Sequence, residues 1–188
     1  MPDFVNTVDL IGDEALIDSI IERNITEFMD NRLTRLSSYA FDGCKKLTLV
    51  DCPEVTDAAT ASMRNCNALT SVNFPSLVTI GNYALMSCGL TTVDFPKLTS
   101  MGNYVFIWTG SKLKAVILRS PTMCSLGGVD SFTSTGISSG VGYIYVPRDL
   151  LDTYKAATNW STYAAQFRAL EDYTVDGTTT GELDTTKI

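Results

Sequence analysis

The sequence predicts an α/β solenoid, with coils of about 22 residues, one short-stranded parallel sheet and a helical cap at each end. Three observations carry this reading. Cys44, Cys66 and Cys88 stand 22 residues apart. The segments ITEFMDNRL from Ile25, LTLVDCPEV from Leu47, LTSVNFPSL from Leu69 and LTTVDFPKL from Leu90 share one apolar pattern. Each is followed by a second shared string, TRLSSYAFDGC, TDAATASMRNC, VTIGNYALMSC and TSMGNYVFIWT. A fixed period in the twenties marks coils that bury their apolar edges only by stacking on neighbours.

The columns justify the elements in turn. Ile25, Leu47, Leu69, Leu90 and Leu113 open the coils, and Phe28, Val50, Val72, Val93 and Val116 follow three residues later. Cys52, Phe74, Phe95 and Leu118 come two further on, an alternation that reads as a short strand. Pro53, Pro75 and Pro96 end three of these strands, because proline removes a ladder donor and fixes φ. Leu33, Val55, Leu77 and Leu98 start the return arm. There Leu36, Ile80 and Met101, then Phe41, Met63, Leu85 and Phe106, form a second apolar set. Their spacing predicts a tight turn and a short helical segment, with Gly81 and Gly102 supplying permissive backbone.

The domain boundaries follow. Residues 1–24 read as a capping helix, with Leu16, Ile17, Ile20 and Ile21 at helical spacing. Residues 25–147 are the solenoid of about five to six coils, interrupted by an irregular insert at 122–142 in which Leu126 and Phe132 fill core slots. Residues 148–170 read as a strand-fed cap of two short helices, the second opened by Asn159 or Ser161. Leu150, Leu151, Tyr154, Trp160, Tyr163, Phe167 and Leu170 supply its apolar seal. Residues 171–188, rich in threonine, read as a flexible tail.

The cysteine column is open to three readings: a disulfide between neighbouring coils, a metal site, or a ladder of small buried side chains. Three thiols in a straight file do not make a tetrahedron, and five cysteines leave one unpaired, so the ladder is favoured.

Composition excludes several functions. Fourteen basic residues against 21 acidic ones give a net charge of −7, and no basic run exists to grip a phosphate backbone. No stretch reaches the roughly 18 apolar residues that span a bilayer. There is no histidine, which removes the commonest general base and transition-metal ligand. No nucleophile has an identifiable base, and no glycine-rich loop precedes a helix. We therefore expect no catalytic residues, no metal and no cofactor.

The string LTSVNFPSLVTIGNYALMSCGLTTVDFPKL resembles the BspA-like, or treponemal-type, leucine-rich repeats. The resemblance covers residues 25–121, with a degenerate last coil reaching 147. It departs most in the second coil, where Asp57-Ala58-Ala59-Thr60-Ala61 replaces the Ile-Gly-xx-Tyr pattern, and in the fourth, which lacks the cysteine. It extends to short forms associated with phages and prophages of gut Firmicutes. It implies a curved solenoid that makes contacts at bacterial or viral surfaces.

On such a sheet, residues flanking the buried valines point outward along the concave face. The candidate contact residues are Glu27, Met29, Asp51, Ser71, Asn73, Thr92, Asp94, Ile117 and Tyr145. Asp51, Asn73 and Asp94 could offer oxygens to calcium, but no wrapping loop accompanies them, so a solvated acidic stripe is favoured. Tyr39, Tyr83 and Tyr104 repeat beside the core, and Trp108 stands outside the repeated slots. The chain reads as complete, from Met1 to a definite end with neither leader nor anchoring motif, unless a leader has been removed. We therefore expect a non-catalytic protein- or glycan-binding or structural module of a phage or prophage virion (tail, baseplate or capsid-associated), acting at the bacterial surface. The alternatives are a secreted adhesin of the BspA-like type and an intracellular protein-interaction scaffold. Expected partners are a protein, a surface glycan, other virion proteins or a second copy of the chain, with no nucleic acid and no membrane insertion.

Overall fold

The computed structural model describes residues 25–173. The segment read as an N-terminal capping helix, and the tail beyond residue 173, lie outside the described residues.

Each of the first five coils contributes two strands, and the sixth contributes a first-arm strand alone. The first-arm strands are β1 (Glu27–Met29), β3 (Leu49–Asp51), β5 (Ser71–Asn73), β7 (Thr92–Phe95), β9 (Ala115–Leu118) and β11 (Tyr143–Val146). The return-arm strands are β2 (Arg35–Leu36), β4 (Asp57–Ala58), β6 (Thr79–Ile80), β8 (Ser100–Met101) and β10 (Ser125–Leu126). All pairings are parallel. The first arm forms two ladders, β1-β3-β5 and β7-β9-β11, the latter extended by β12 (Phe167–Ala169). The return arm forms one continuous ladder, β2-β4-β6-β8-β10.

This differs from the expected single sheet in two ways. Leu36, Ile80 and Met101 sit in a second strand ladder instead of a turn, because the return arm stacks in register as closely as the first arm does. The first-arm ladder breaks between β5 and β7, where the spacing shortens. Val50 pairs with Phe28 and Val72, each 22 residues away, whereas Val93 lies 21 beyond Val72. Past β7 the paired residues are 23 apart at Val93 and Val116, then 28 apart at Val116 and Ile144, since the insert lies between.

The segment expected to be helical is a third hydrogen-bonded ribbon. Tyr39, Ala61, Asn65, Tyr83, Ser87, Tyr104 and Trp108 all have φ between 55° and 63°, and Gly43 has 75°. A left-handed residue at every fourth position forbids an α-helix and rotates alternate peptide planes toward the next coil. The amides of Tyr39, Phe41 and Gly43 donate to the carbonyls of Thr60, Ser62 and Arg64 at 2.7–3.1 Å. Those of Ala61, Met63 and Asn65 donate to Asn82, Ala84 and Met86 in the same way. The intervening amides, such as Ala40 to Ser37 and Asp42 to Tyr39, bond within their own coil. Each left-handed side chain costs roughly 1–2 kcal/mol, comparable to the roughly 0.5–1.5 kcal/mol net gain of each inter-coil bond. The conformation therefore persists only where coils stack.

Gly81 and Gly102 serve a different purpose from the one expected. Neither has positive φ; both sit against the preceding coil. A Cβ on Gly81 would lie 2.6 Å from the Thr60 amide nitrogen, and one on Gly102 would lie 2.7 Å from that of Asn82.

The core is one continuous cluster running through every described coil. Leu47, Leu69, Leu90 and Leu113 are fully buried, as are Cys52, Phe95 and Leu118 with Phe74 nearly so. All five cysteines are free thiols, so the disulfide alternative does not hold. The cysteine column has a specific role besides filling space. The Cys66 Sγ donates to the Phe41 carbonyl at 3.0 Å, and the Cys88 Sγ to the Met63 carbonyl at 3.2 Å, each in the preceding coil. Thr109 occupies this slot in the fourth coil, and its buried hydroxyl has no hydrogen-bond partner. Burial pushes the Cys52, Cys88 and Cys124 thiols up to about 12, and the Cys66 thiol also upward.

The insert packs as an enlarged coil. Leu126, Phe132 and Ile137 are buried, and the Thr135 hydroxyl accepts from the Ile137 and Ser138 amides while donating to the Phe132 carbonyl. The C-terminal seal contains α1 (Leu151–Ala156), flanked by short 3-10 turns, and then β12, which sequence reading assigned to a helix. Asn159 does not cap the second turn; with φ 65° it sends its Nδ2 to the Leu126 carbonyl. The Tyr154 hydroxyl accepts from the Cys124 amide and Trp160 Nε1 donates to the Cys124 carbonyl, both at 2.7 Å. The seal thus satisfies both backbone groups of a residue that the irregular coil leaves without a ladder partner.

The close packing of coils makes Gly81→Ala destabilising in a urea titration. Chain entropy alone would favour the change by about 0.4–1 kcal/mol, but its methyl group meets backbone. Thr109→Cys raises stability by about 1 kcal/mol, replacing an unpartnered buried hydroxyl with a thiol facing the next carbonyl in the file. The native thiols stay unreactive to a thiol-specific reagent near neutral pH and all five react on denaturation. Because burial raises the folded pKa of Cys52, Cys66, Cys88 and Cys124, the stabilising contribution of these four thiols is complete below the ordinary thiol pKa. It is lost as pH rises through about 9 to 12, so the denaturation midpoint falls over that window.

Candidate functional site: the outward face of the first-arm ladder

Alternation along each short strand sends the residue between its two flanks inward and the flanks outward. The structure places the first outward column at Glu27, Leu49, Ser71, Thr92, Ala115 and Tyr143, and the second at Met29, Asp51, Asn73, Asp94, Ile117 and Tyr145. Glu27, Ser71, Asn73 and Thr92 are exposed, Met29 is 62% exposed, and Asp51 and Asp94 are half-buried. These seven residues share one open, mostly polar surface.

Ile117 and Tyr145 do not belong to it, which corrects their assignment as contact residues. Both are buried with Ala115 and Leu170 in a second apolar cluster, packed by Tyr143 and Tyr173. The chain doubles back after β12 and lays Leu170–Tyr173 over this end of the face. The Tyr173 ring meets Tyr145 edge-on, with centroids 5.2 Å apart. Glu171 accepts from the Arg148 amide and Asp172 pairs with the Arg148 side chain, fixing the strap. Burial pushes the Tyr145 hydroxyl up to about 12.

The two aspartates on the open part, Asp51 and Asp94, are engaged by donors. Asn73 Nδ2 donates to Asp51 Oδ1 at 2.8 Å. The Arg119 guanidinium holds Asp94 through Nε at 2.8 and 3.0 Å and through a further nitrogen at 2.8 Å. Arg119 is the residue that sequence reading missed; its signal was a lone arginine directly after the β9 strand motif. Among the described residues, no group of three or more metal-ligating side chains converges. The N-terminal end of the face opens into a cleft of about 310 Å³ lined by Met29, Asp30, Asn31, Arg32, Asp51 and Pro53. Asp30 Oδ1 accepts from the amides of Arg32 and Leu33, which fixes the turn at its floor.

The return arm presents a separate aromatic file. The Tyr83 and Tyr104 rings stack with centroids 4.9 Å apart and planes 4° apart, one coil spacing. Trp108 is 58% exposed in the next left-handed position. In the second coil, where Ala61 replaces the tyrosine, Arg64 lies 5.4 Å over the Tyr39 ring. Asp42 holds that guanidinium through two hydrogen bonds.

Loss of the strap's clasp is read in this face. Arg148→Ala leaves the core intact and the melting temperature essentially unchanged, because the pair it removes is exposed. It raises hydrogen exchange at the Tyr173 amide, checked by NMR.

Comparison with known proteins agrees with this architecture. A profile for the BspA type leucine rich repeat region matches residues 3–120 in six copies. No curated protein matches the chain. The solved leucine-rich repeat protein of T. pallidum is similar at 19% identity and a TM-score of 0.51, covering 66% of this chain and 59% of its own length. The pneumococcal vaccine antigen PcpA is similar at 15% identity and a TM-score of 0.46, over 78% of this chain and 40% of its own. A leucine-rich repeat protein from Bacteroides ovatus gives 13% identity and a TM-score of 0.33, over 67% and 48%. This chain therefore spans only part of the treponemal protein's length, and that likeness concerns the fold alone. With its profile match covering well over half of its residues, the chain belongs to the BspA-type leucine-rich repeat family.

Proposed function

We propose that this protein is a non-catalytic binding module whose contact surface is the open part of the first-arm face. The observation that carries this is the contrast along one ladder. Glu27, Met29, Asp51, Ser71, Asn73, Thr92 and Asp94 are accessible, while Ala115, Ile117 and Tyr145 are covered by the chain itself. Extended ladders of short strands serve repeat proteins as binding surfaces, with many side chains presented at fixed spacing. The partner is a protein or a surface glycan, met through a polar surface with Met29 as its apolar contact.

We place the module in a phage or prophage virion, as a tail, baseplate or capsid-associated part that acts at the bacterial surface. Five buried free thiols favour assembly in a reducing cytoplasm over export through an oxidising compartment. A cell-surface adhesin is the second reading, supported by family membership. Virion parts are commonly symmetric multimers, so self-association belongs to the first reading.

Charge reversal across the open face tests the contact surface. Asp51→Lys combined with Ser71→Lys and Thr92→Lys abolishes binding of the full chain to intact bacterial cells without lowering its melting temperature. The same number of lysines placed on the return arm leaves binding unchanged. Equal binding by both variants would contradict the assignment of the face. Mass spectrometry of purified phage particles detects the chain if the virion setting is right; its absence from particles and presence on host cell surfaces would favour the adhesin.

A further inference from the structure

The third ribbon has two left-handed columns, and the second holds a residue for which the fold has no use. Gly43, Asn65, Ser87 and Trp108 occupy that column with φ of 75°, 60°, 56° and 63°. The first three are small residues. Trp108 is the bulky exception, an outlier for a side chain of its size in this region. The amide of Trp108 donates to the Thr133 carbonyl at 3.2 Å, just as the Ser87 amide donates to Ile107 at 2.9 Å, so the backbone does not need the ring. Nor does burial offset the strain, because the indole is 58% exposed. In the neighbouring column Tyr83 stacks on Tyr104, and Tyr39 lies under Arg64. Among the described residues no ring or guanidinium packs on Trp108. Strain of this kind collects at ligand contacts, and exposed tryptophans are common anchors of them.

The border of Trp108 selects the chemistry of the ligand. Ser87 precedes it by one coil, Thr133 and exposed Ser134 follow it by one, and at nearby Gly110 a Cβ would meet nothing within 4 Å. None of these residues is charged, whereas the first-arm face carries Glu27, Asp51 and Asp94. The Thr133 hydroxyl is turned to Asp130 Oδ1 at 3.5 Å, which leaves the hydroxyls of Ser87 and Ser134 to a ligand. An aromatic platform with a neutral, hydroxyl-bearing rim suits a neutral ligand that has one apolar face and a hydroxyl edge.

We propose that Trp108 is the platform of a second binding site, which takes a neutral pyranose of a glycan. The axial C–H bonds of one sugar face pack on the electron-rich face of the indole. Ring hydroxyls exchange hydrogen bonds with Ser87 and Ser134, which coil spacing holds about 5 Å to either side. The stacked Tyr104 and Tyr83 continue the aromatic surface in the neighbouring column. The site lies on the third ribbon, apart from the first-arm face, and does not rest on the function proposed for that face.

The chain has two tryptophans, so NMR of the full chain shows one indole signal from each. Chitotriose (β-linked N-acetylglucosamine units) and cellotriose are titrated separately to about 10 mM, which reaches sites with a Kd of about 1 mM. At least one of them moves the Trp108 indole signal and leaves that of Trp160, which is buried and bonded to the Cys124 carbonyl, in place. Trp108→Asn, which installs the residue found at position 65, abolishes the accompanying shifts at the Ser87 and Ser134 amides without lowering the melting temperature. The triple lysine variant of the first-arm face keeps the sugar response, so failure of that face and failure of this site are told apart. No movement of the Trp108 signal with either sugar overturns the proposal. So does a lower melting temperature for Trp108→Asn, which would make the indole structural. Broadening of the Trp108 signal on raising protein concentration without sugar also overturns it, since a second copy would then be the occupant.

Discussion

The structure depends on one constraint: no coil holds its own shape unless another coil lies against it. Each coil contributes a few leucines, valines and aromatics, too few to close a core alone. Stacked in register, they form a single continuous cluster. The backbone obeys the same constraint. Left-handed residues at Tyr39, Ala61, Tyr83 and Tyr104 are unfavourable in isolation. They are retained because they turn the intervening amides onto the neighbouring coil, where carbonyls wait at hydrogen-bond distance. The buried thiols of Cys66 and Cys88 add one further bond each across the same gap.

Function follows from what stacking leaves outside. The strands are so short that their flanking residues are surface by construction, and the ladder fixes their spacing. At one end this surface is open and polar, with Asp51 held by Asn73 and Asp94 by Arg119. At the other end Leu170–Tyr173 covers the apolar part, which would otherwise be an exposed greasy patch of the kind that invites aggregation. The proposed contact surface is therefore bounded by the protein itself.

Much of this was legible in the sequence because it depends on side-chain period. Columns such as Leu47, Leu69 and Leu90, or Val50, Val72 and Val93, repeat at nearly one spacing, and parallel stacking is the arrangement that aligns them. The return ribbon was misread as helical because Ala-Phe and Ala-Leu pairs at three-residue spacing look the same in either geometry. The left-handed turns at Tyr39 and Tyr83 carry no sequence mark, since tyrosine is no ordinary left-handed residue. Glycine misled in the opposite sense: Gly81 and Gly102 suggest special φ, but they are there for lack of a Cβ. At the candidate site, the accessibility of Asp51, Ser71 and Thr92 followed from alternation alone. Burial of Ile117 and Tyr145 did not, because it depends on where Leu170–Tyr173, far along the chain, folds back.

Native-state hydrogen exchange at the amides of Phe41, Met63, Leu85 and Phe106 is the most direct measurement of coil-on-coil stacking. Each of these amides donates across a coil boundary, to Ser62, Ala84, Val105 and Ser131. Stacked coils predict that all four exchange more than about a thousandfold slower than in an unfolded chain, and that they lose protection together as denaturant is raised. Exchange at unprotected rates in a protein whose strand amides remain protected would contradict it.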